Sequence, residues 1–130
     1  MNTIYPTALE KFLQGSINLN STIKLLAVDT AEYTYSATHS TLSDVPAAAR
    51  IATSSALTGK SFSAGVFDAD NPTFNAVTGE TFEALVLFLD SGTENTSHLI
   101  CYMNTATGLP FTPSGSNVIF NISPSGLFRI

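Results

Sequence analysis

The residues of this 130-residue chain whose spacing comes nearest to a known chemistry are Leu57-Thr-Gly-Lys-Ser61, which end like a phosphate-binding loop. That loop cradles phosphates with backbone N–H groups and needs a glycine five residues before Gly59. Ser54 stands there, and Phe62 runs quickly into Gly65, leaving no room for the helix that should follow. The segment is expected to be a turn carrying an exposed lysine. Asp68, Asp70 and Asn71 begin like a calcium loop, but the sixth and twelfth positions hold Thr73 and Gly79 in place of Gly and Glu. Two readings stay open: an irregular ion site built from Asp68, Asp70 and a distant carboxylate, or an Asx-rich turn that satisfies its own backbone. His98 and Cys101 have zinc-like spacing, yet on one strand positions i and i+3 face opposite ways. Ser114 and Ser125 sit between Pro and Gly, which does not make a nucleophile elbow, and His39 is the only other histidine. Nothing in the spacing of Asp68, Asp70, Glu80, Glu83 and Asp90 selects a hydrolytic pair. The expectation is therefore no catalytic residues, no cofactor and no regular metal site, with ion binding at Asp68 and Asp70 the open question.

The elements that would position these residues are mostly strands. Pro6 near the start and Gly15 just past the end bracket a short helix, with Leu9, Phe12 and Leu13 on one face. Ile23–Asp29 reads as a buried strand, and Tyr33-Thr-Tyr35 alternates as if extended, both rings on one face. A helical turn is expected around Leu42–Val45, and an extended pattern resumes at Arg50. Turns at Thr58-Gly59 and Ala64-Gly65 flank a short run around Phe62. Thr73–Val77, Phe82–Asp90, Leu99–Asn104, Val118–Ile122 and Leu127–Ile130 complete seven or eight short strands. Regular short strands with turns between them predict an all-β fold, an antiparallel β-sandwich or small jelly-roll-like barrel with a short N-terminal helix. Residues 1–15 form the helical segment and 16–130 a single domain. The Met1–Gly15 segment is either an assembly arm or a cap over one end of its own domain. Tyr5, Tyr33, Tyr35 and Tyr102 look dispersed, as core or interface anchors rather than a sugar-stacking platform.

Composition narrows the function classes. Apolar residues make up 44% of the chain, enough for a real core, while only 12% are charged, against an average of about 25%. Fifteen Ser and seventeen Thr supply the missing polarity, and Thr suits a half-buried pleat. The net charge is −5, and the five cations, Lys11, Lys24, Lys60, Arg50 and Arg129, are scattered. They cannot form the basic stripe that neutralises a phosphate backbone or an anionic membrane, so neither nucleic acid nor membrane is an expected partner. A single cysteine, Cys101, excludes an intrachain disulfide, and no signal peptide is expected at the N-terminus. Neutral surfaces of this kind can be buried against a partner at little desolvation cost.

Longer strings carry a resemblance. Ile23-Lys-Leu-Leu-Ala-Val-Asp29, Leu42-Ser-Asp-Val-Pro-Ala-Ala-Ala-Arg-Ile-Ala52 and Gly65-Val-Phe-Asp-Ala-Asp70 come first. Thr73-Phe-Asn-Ala-Val-Thr-Gly79, Glu83-Ala-Leu-Val-Leu-Phe-Leu-Asp-Ser-Gly92, Gly108-Leu-Pro-Phe-Thr-Pro113 and Phe128-Arg-Ile130 follow in order. Together they resemble a family of small proteins encoded among the structural genes of tailed bacteriophages and prophages. The resemblance implies a non-enzymatic virion component made in the bacterial host cytoplasm. Its preferred form is a capsid decoration, or cement, protein that bridges subunits of the major capsid protein and self-associates as a trimer. The alternatives are a tail, connector or head-fibre subunit, or a carbohydrate-binding host-adhesion module, which the absence of Trp disfavours.

Overall fold

The computed structural model describes residues 2–130; Met1, at the tip of the proposed arm, lies outside the described residues. The chain is all-β apart from one short helix. Ten strands run in the order β1 (Asn2–Ile4), β2 (Ile23–Val28), β3 (Arg50–Thr53), β4 (Ser61–Ser63), β5 (Val66–Asp68), β6 (Thr73–Phe74), β7 (Ala84–Leu89), β8 (Leu99–Met103), β9 (Val118–Ile119) and β10 (Phe128–Arg129). The helix α1 spans Pro6–Gln14 and stops at Gly15, which adopts the left-handed conformation expected of a helix C-terminus.

A five-stranded antiparallel sheet, ordered β1-β8-β7-β2-β3, forms the middle of the molecule. All six residues of β7 register with β2, from Leu89 opposite Ile23 to Ala84 opposite Val28. An antiparallel sheet commonly leaves one face in water and alternates polar with apolar residues. Here β7 and β8 are apolar throughout and almost wholly buried, because both faces of the sheet are covered. On one face Leu85, Cys101 and Met103 look toward two small antiparallel sheets, β10-β5-β4 and β6-β9, and share clefts with Phe74, Phe120, Leu127 and Phe128. On the other face Tyr102 meets Tyr33 and Tyr35 of the long connection between β2 and β3. That connection holds 3-10 turns at Leu42–Asp44 and Ala47–Ala49 and buries Val45 and Ala49.

The sandwich expectation holds and the closed-barrel alternative does not. Strands β1 and β3 remain open edges of the main sheet, and the opposing layer is split into two ribbons. Three further expectations need correction. Tyr33-Thr-Tyr35 is not a strand: its backbone pairs with no neighbouring strand, and the Tyr33 hydroxyl is held between Tyr5 and His39. Thr73–Val77 shortens to β6, because Ala76 takes a positive φ of 45° and its N–H turns to the Asn117 side chain. Val118–Ile122 shortens to β9, because the Phe120 N–H continues the ladder to the Pro72 carbonyl but Pro72 has no N–H to return. Strand β1 was not expected at all.

The N-terminal segment is built into its own domain. Strand β1 pairs with β8, from Asn2 opposite Met103 to Ile4 opposite Cys101. Helix α1 ties the layers together: Phe12 meets Phe128 on one side, and Thr7 and Lys11 bond His39 and Ser40 on the other.

The β4–β5 hairpin turns through Ala64 and Gly65, both with positive φ, as a type I′ turn requires. Alanine at φ 51° carries the steric cost of its Cβ, which asparagine tolerates better. Ala64→Asn is expected to raise stability by about 0.5–1 kcal/mol, read as a higher denaturant midpoint at unchanged m-value.

Candidate interaction surface

The sequence motifs with chemical precedent do not assemble. Gly59 lies against the Asp70 side chain, and Lys60 donates to the carbonyls of Leu19, at 3.1 Å, and Ser21. Strand β4 follows directly, so the phosphate-loop likeness ends in an edge strand. Asp68 Oδ1 accepts the Ala69 N–H at 2.8 Å, and Asn71 bonds the Asn121 side chain and the Ile122 N–H. The Asp68 contact is local, whereas those of Asn71 tie the turn to the Asn121–Ile122 segment fifty residues on. No group of three or more His, Cys, Asp or Glu side chains able to hold a metal occurs among the described residues. Glu83 accepts from the Thr30 N–H and hydroxyl, and Asp90 pairs with Lys24 at 2.7 Å, so the carboxylates are dispersed over structural tasks. Cys101 is buried between Leu87 and Ile4 in the sheet register, and burial pushes its thiol up to about 12. A thiol held protonated in this way is a poor nucleophile.

One cluster was missed in the sequence. The four tyrosines that look dispersed converge: Tyr35 stacks on Tyr102 at 5.3 Å and lies 5.1 Å from Tyr5. The Tyr5 hydroxyl meets the Tyr33 hydroxyl at 2.8 Å, which meets His39 Nδ1 at 2.8 Å. Burial drives the Tyr5 phenol far above its ordinary value and raises Tyr33 to about 12. With Tyr5, Tyr33 and Tyr102 all buried, the cluster is a satisfied polar core rather than an exposed ring platform. The alternation of Tyr33 and Tyr35 was the available signal, but nothing local points to Tyr5.

His98 precedes β8, and its Nδ1 is buried without a hydrogen-bond partner. Burial, with the Lys11 charge nearby, holds its pKa below 6.5. Unfolding restores the ordinary proton affinity, so the unfolded chain binds more protons below pH 6.5 and stability must fall there. His98→Gln is expected to remove that slope in pH-dependent unfolding. A further loss begins below pH 3.8. There Asp44, held low by the Ser40 and Thr41 N–H groups, and Asp90, held low by Lys24 and the Gly92 N–H, become protonated.

What the fold leaves unsatisfied is apolar surface. Leu13 on α1 is 90% exposed, Ile130 65% and Phe62 50%. Phe62 and Ile130 line neighbouring grooves, Leu13 stands on α1 outside them, and Ile119 of β9 is 61% exposed. Leu9 shares a groove with Phe128, and Phe128 shares another with Ile130 and Phe62. Phe62 also borders a third groove with Phe12, Ile17 and Leu19. Among the described residues lining these grooves, Arg129 is the one with a charged side chain. Single exposed apolar residues are ordinary, whereas connected ones mark surfaces that another molecule covers. A separate cleft of about 150 Å³ lies between β6–β9 and β7, lined mainly by Phe74, Phe82, Leu85, Phe111, Val118 and Phe120. No protein-family model and no curated protein matches this chain.

Proposed function

We propose that this chain is a non-enzymatic structural protein of a bacteriophage particle, and that its task is decoration of the capsid exterior, where it bridges subunits of the major capsid protein. The observation that carries the reading is the exposed apolar side of α1, Leu13 at 90% and Leu9 at 38%, on a chain with few charges. The resemblance to tailed-phage structural proteins, which runs in order along nearly the whole sequence, supports the same class. A bridging contact of standard size removes roughly 800 Å² from each partner. Exposed leucine, isoleucine and phenylalanine are the side chains whose burial contributes most to it.

The test mixes purified chain with capsid shells that lack it and sediments them. Retention in the pellet is expected for the wild type. Leu13→Lys should lower retention about tenfold or more, the loss of one buried leucine. Lysine near a helix C-terminus is compatible with the helix, so the variant folds. Shells that never retain the chain contradict decoration, and retention on tails alone favours the tail or connector reading.

A further inference from the structure

We infer that strand β4 is a self-pairing edge: two copies of this chain join their β4 strands antiparallel across a two-fold axis through Phe62, continuing two three-stranded ribbons into one six-stranded sheet. This goes beyond the virion reading and does not depend on it. It also replaces the three-fold symmetry implied by the resemblance with a two-fold.

The backbone supplies the first argument. In a two-residue type I′ hairpin the pair beside the turn, here Ser63 and Val66, exchanges hydrogen bonds, and the next pair, Phe62 and Phe67, does not. Phe67 confirms the alternation, since its carbonyl accepts from Leu127 at 2.8 Å on the β10 side. The N–H and C=O of Phe62 therefore point away from β5, and no strand among the described residues pairs with that edge. Antiparallel pairing centred on Phe62 brings these two groups onto their copies, forming two reciprocal N–H···O=C bonds.

Charge supplies the second. Edge strands are normally guarded by charged side chains, lysine above all. Ser61-Phe62-Ser63 carries none, and Lys60 beside it is turned back onto the Leu19 and Ser21 carbonyls. Two copies of a chain with a net charge of −5 can meet here without opposing carboxylates in the strand. In this register Ser61 faces the other copy's Ser63, and Lys60 faces Ala64.

Packing supplies the third. Phe62 stacks on buried Phe67 at 5.4 Å, so it belongs to the core-facing side of its ribbon. It is half exposed because the layer ends at β4. A second ribbon in line would cover it with the other copy's Phe62, and the apolar grooves on either side of the ring widen the contact beyond the strand.

The test is the solution mass of the purified full chain up to about 1 mM, by sedimentation equilibrium. A dimer is expected for the wild type, with exchange of the Phe62 amide slowing as concentration rises. Ser61→Lys with Ser63→Lys sets like charges opposite one another twice across the axis, and should weaken the dimer about tenfold or more. Ser61→Lys with Ser63→Glu sets opposite charges there, and should leave it at least as tight as the wild type. Both positions are exposed, and a lysine at 61 faces Asp68 within the hairpin, so both variants fold. A monomer at every concentration, a trimer, or a dimer equally strong in the two variants overturns the inference.

Discussion

Replacing Tyr5 by alanine is expected to lower the unfolding free energy by about 3–5 kcal/mol, among the largest effects of any single change in this chain. The side chain is completely buried, so its removal forfeits transfer energy and leaves a cavity that the rigid sheet behind it cannot fill. The same residue joins three elements. Its N–H bonds the Ile100 carbonyl in β8, its carbonyl accepts from Ala8 and Leu9 at the start of α1, and its hydroxyl holds Tyr33. Losing the ring therefore loosens the N-terminal segment and the long connection together. Tyr5→Phe separates the two contributions: the ring stays, one buried hydrogen bond goes, and the cost should be nearer 1–2 kcal/mol. Denaturant unfolding of both variants, with amide exchange across Asn2–Gln14, measures the difference. A loss under about 1 kcal/mol for Tyr5→Ala would mean that the segment is not an integral part of the domain.

Gly126→Ala is expected to cost about 3 kcal/mol or more, from two sources that add. Its φ of +90° is a conformation that L residues rarely adopt, and an added Cβ would lie 2.6 Å from Val66 Cγ1 and 2.9 Å from the Phe67 carbonyl oxygen. The second obstacle is backbone, so the strand ending in β10 must shift, weakening its pairing with β5. Gly15→Ala provides the comparison. It has a φ of +73° with nothing within 4 Å of the new methyl, so only the conformational term of about 1 kcal/mol applies. Thermal unfolding of the pair should rank Gly126→Ala clearly below Gly15→Ala. Equal melting temperatures would show that β10 does not close the ribbon as described.

The parts of this fold legible in the sequence are those where one local rule decides. Pro6 and Gly15 bracket α1 as helix termini should, and the apolar runs through Ile23–Asp29 and Phe82–Asp90 marked the strands β2 and β7. What escaped depends on distant partners. Strand β1 is three residues whose extended form is imposed by β8, a hundred residues later. The tyrosine cluster joins Tyr5 to Tyr33 and Tyr102, and no periodicity links such positions. Tyr33–Tyr35 read as a strand because alternation alone does not reveal that no neighbouring strand pairs with its backbone. The candidate surface was half visible. Leu9, Phe12 and Leu13 were recognisable as one helix face, but the sequence does not say that Leu13 stays outside while Phe12 turns in to Phe128. Phe62 looked like an ordinary strand residue, and its exposure follows from topology, which leaves β4 at the end of its sheet.

In the Asp68–Asn71 segment the side chains of Asp68 and Asn71 bond to protein groups. Two acids and an asparagine within four residues invite a cation, but Asp68 is engaged with the Ala69 N–H and Asn71 with Asn121 and Ile122. The arrangement holds a turn between β5 and β6. The large apolar side chains left exposed are Leu9 and Leu13 on α1, Phe62 on β4, Ile119 on β9 and Ile130.

The proposed decoration role is tested most directly by imaging phage particles assembled with this chain at a resolution that traces side chains. Density for this chain on the outer capsid lattice, with the Leu13 face of α1 or the β4 edge buried against a neighbour, is the predicted result. Particles in which the chain is absent, or lies in the tail alone, would contradict it.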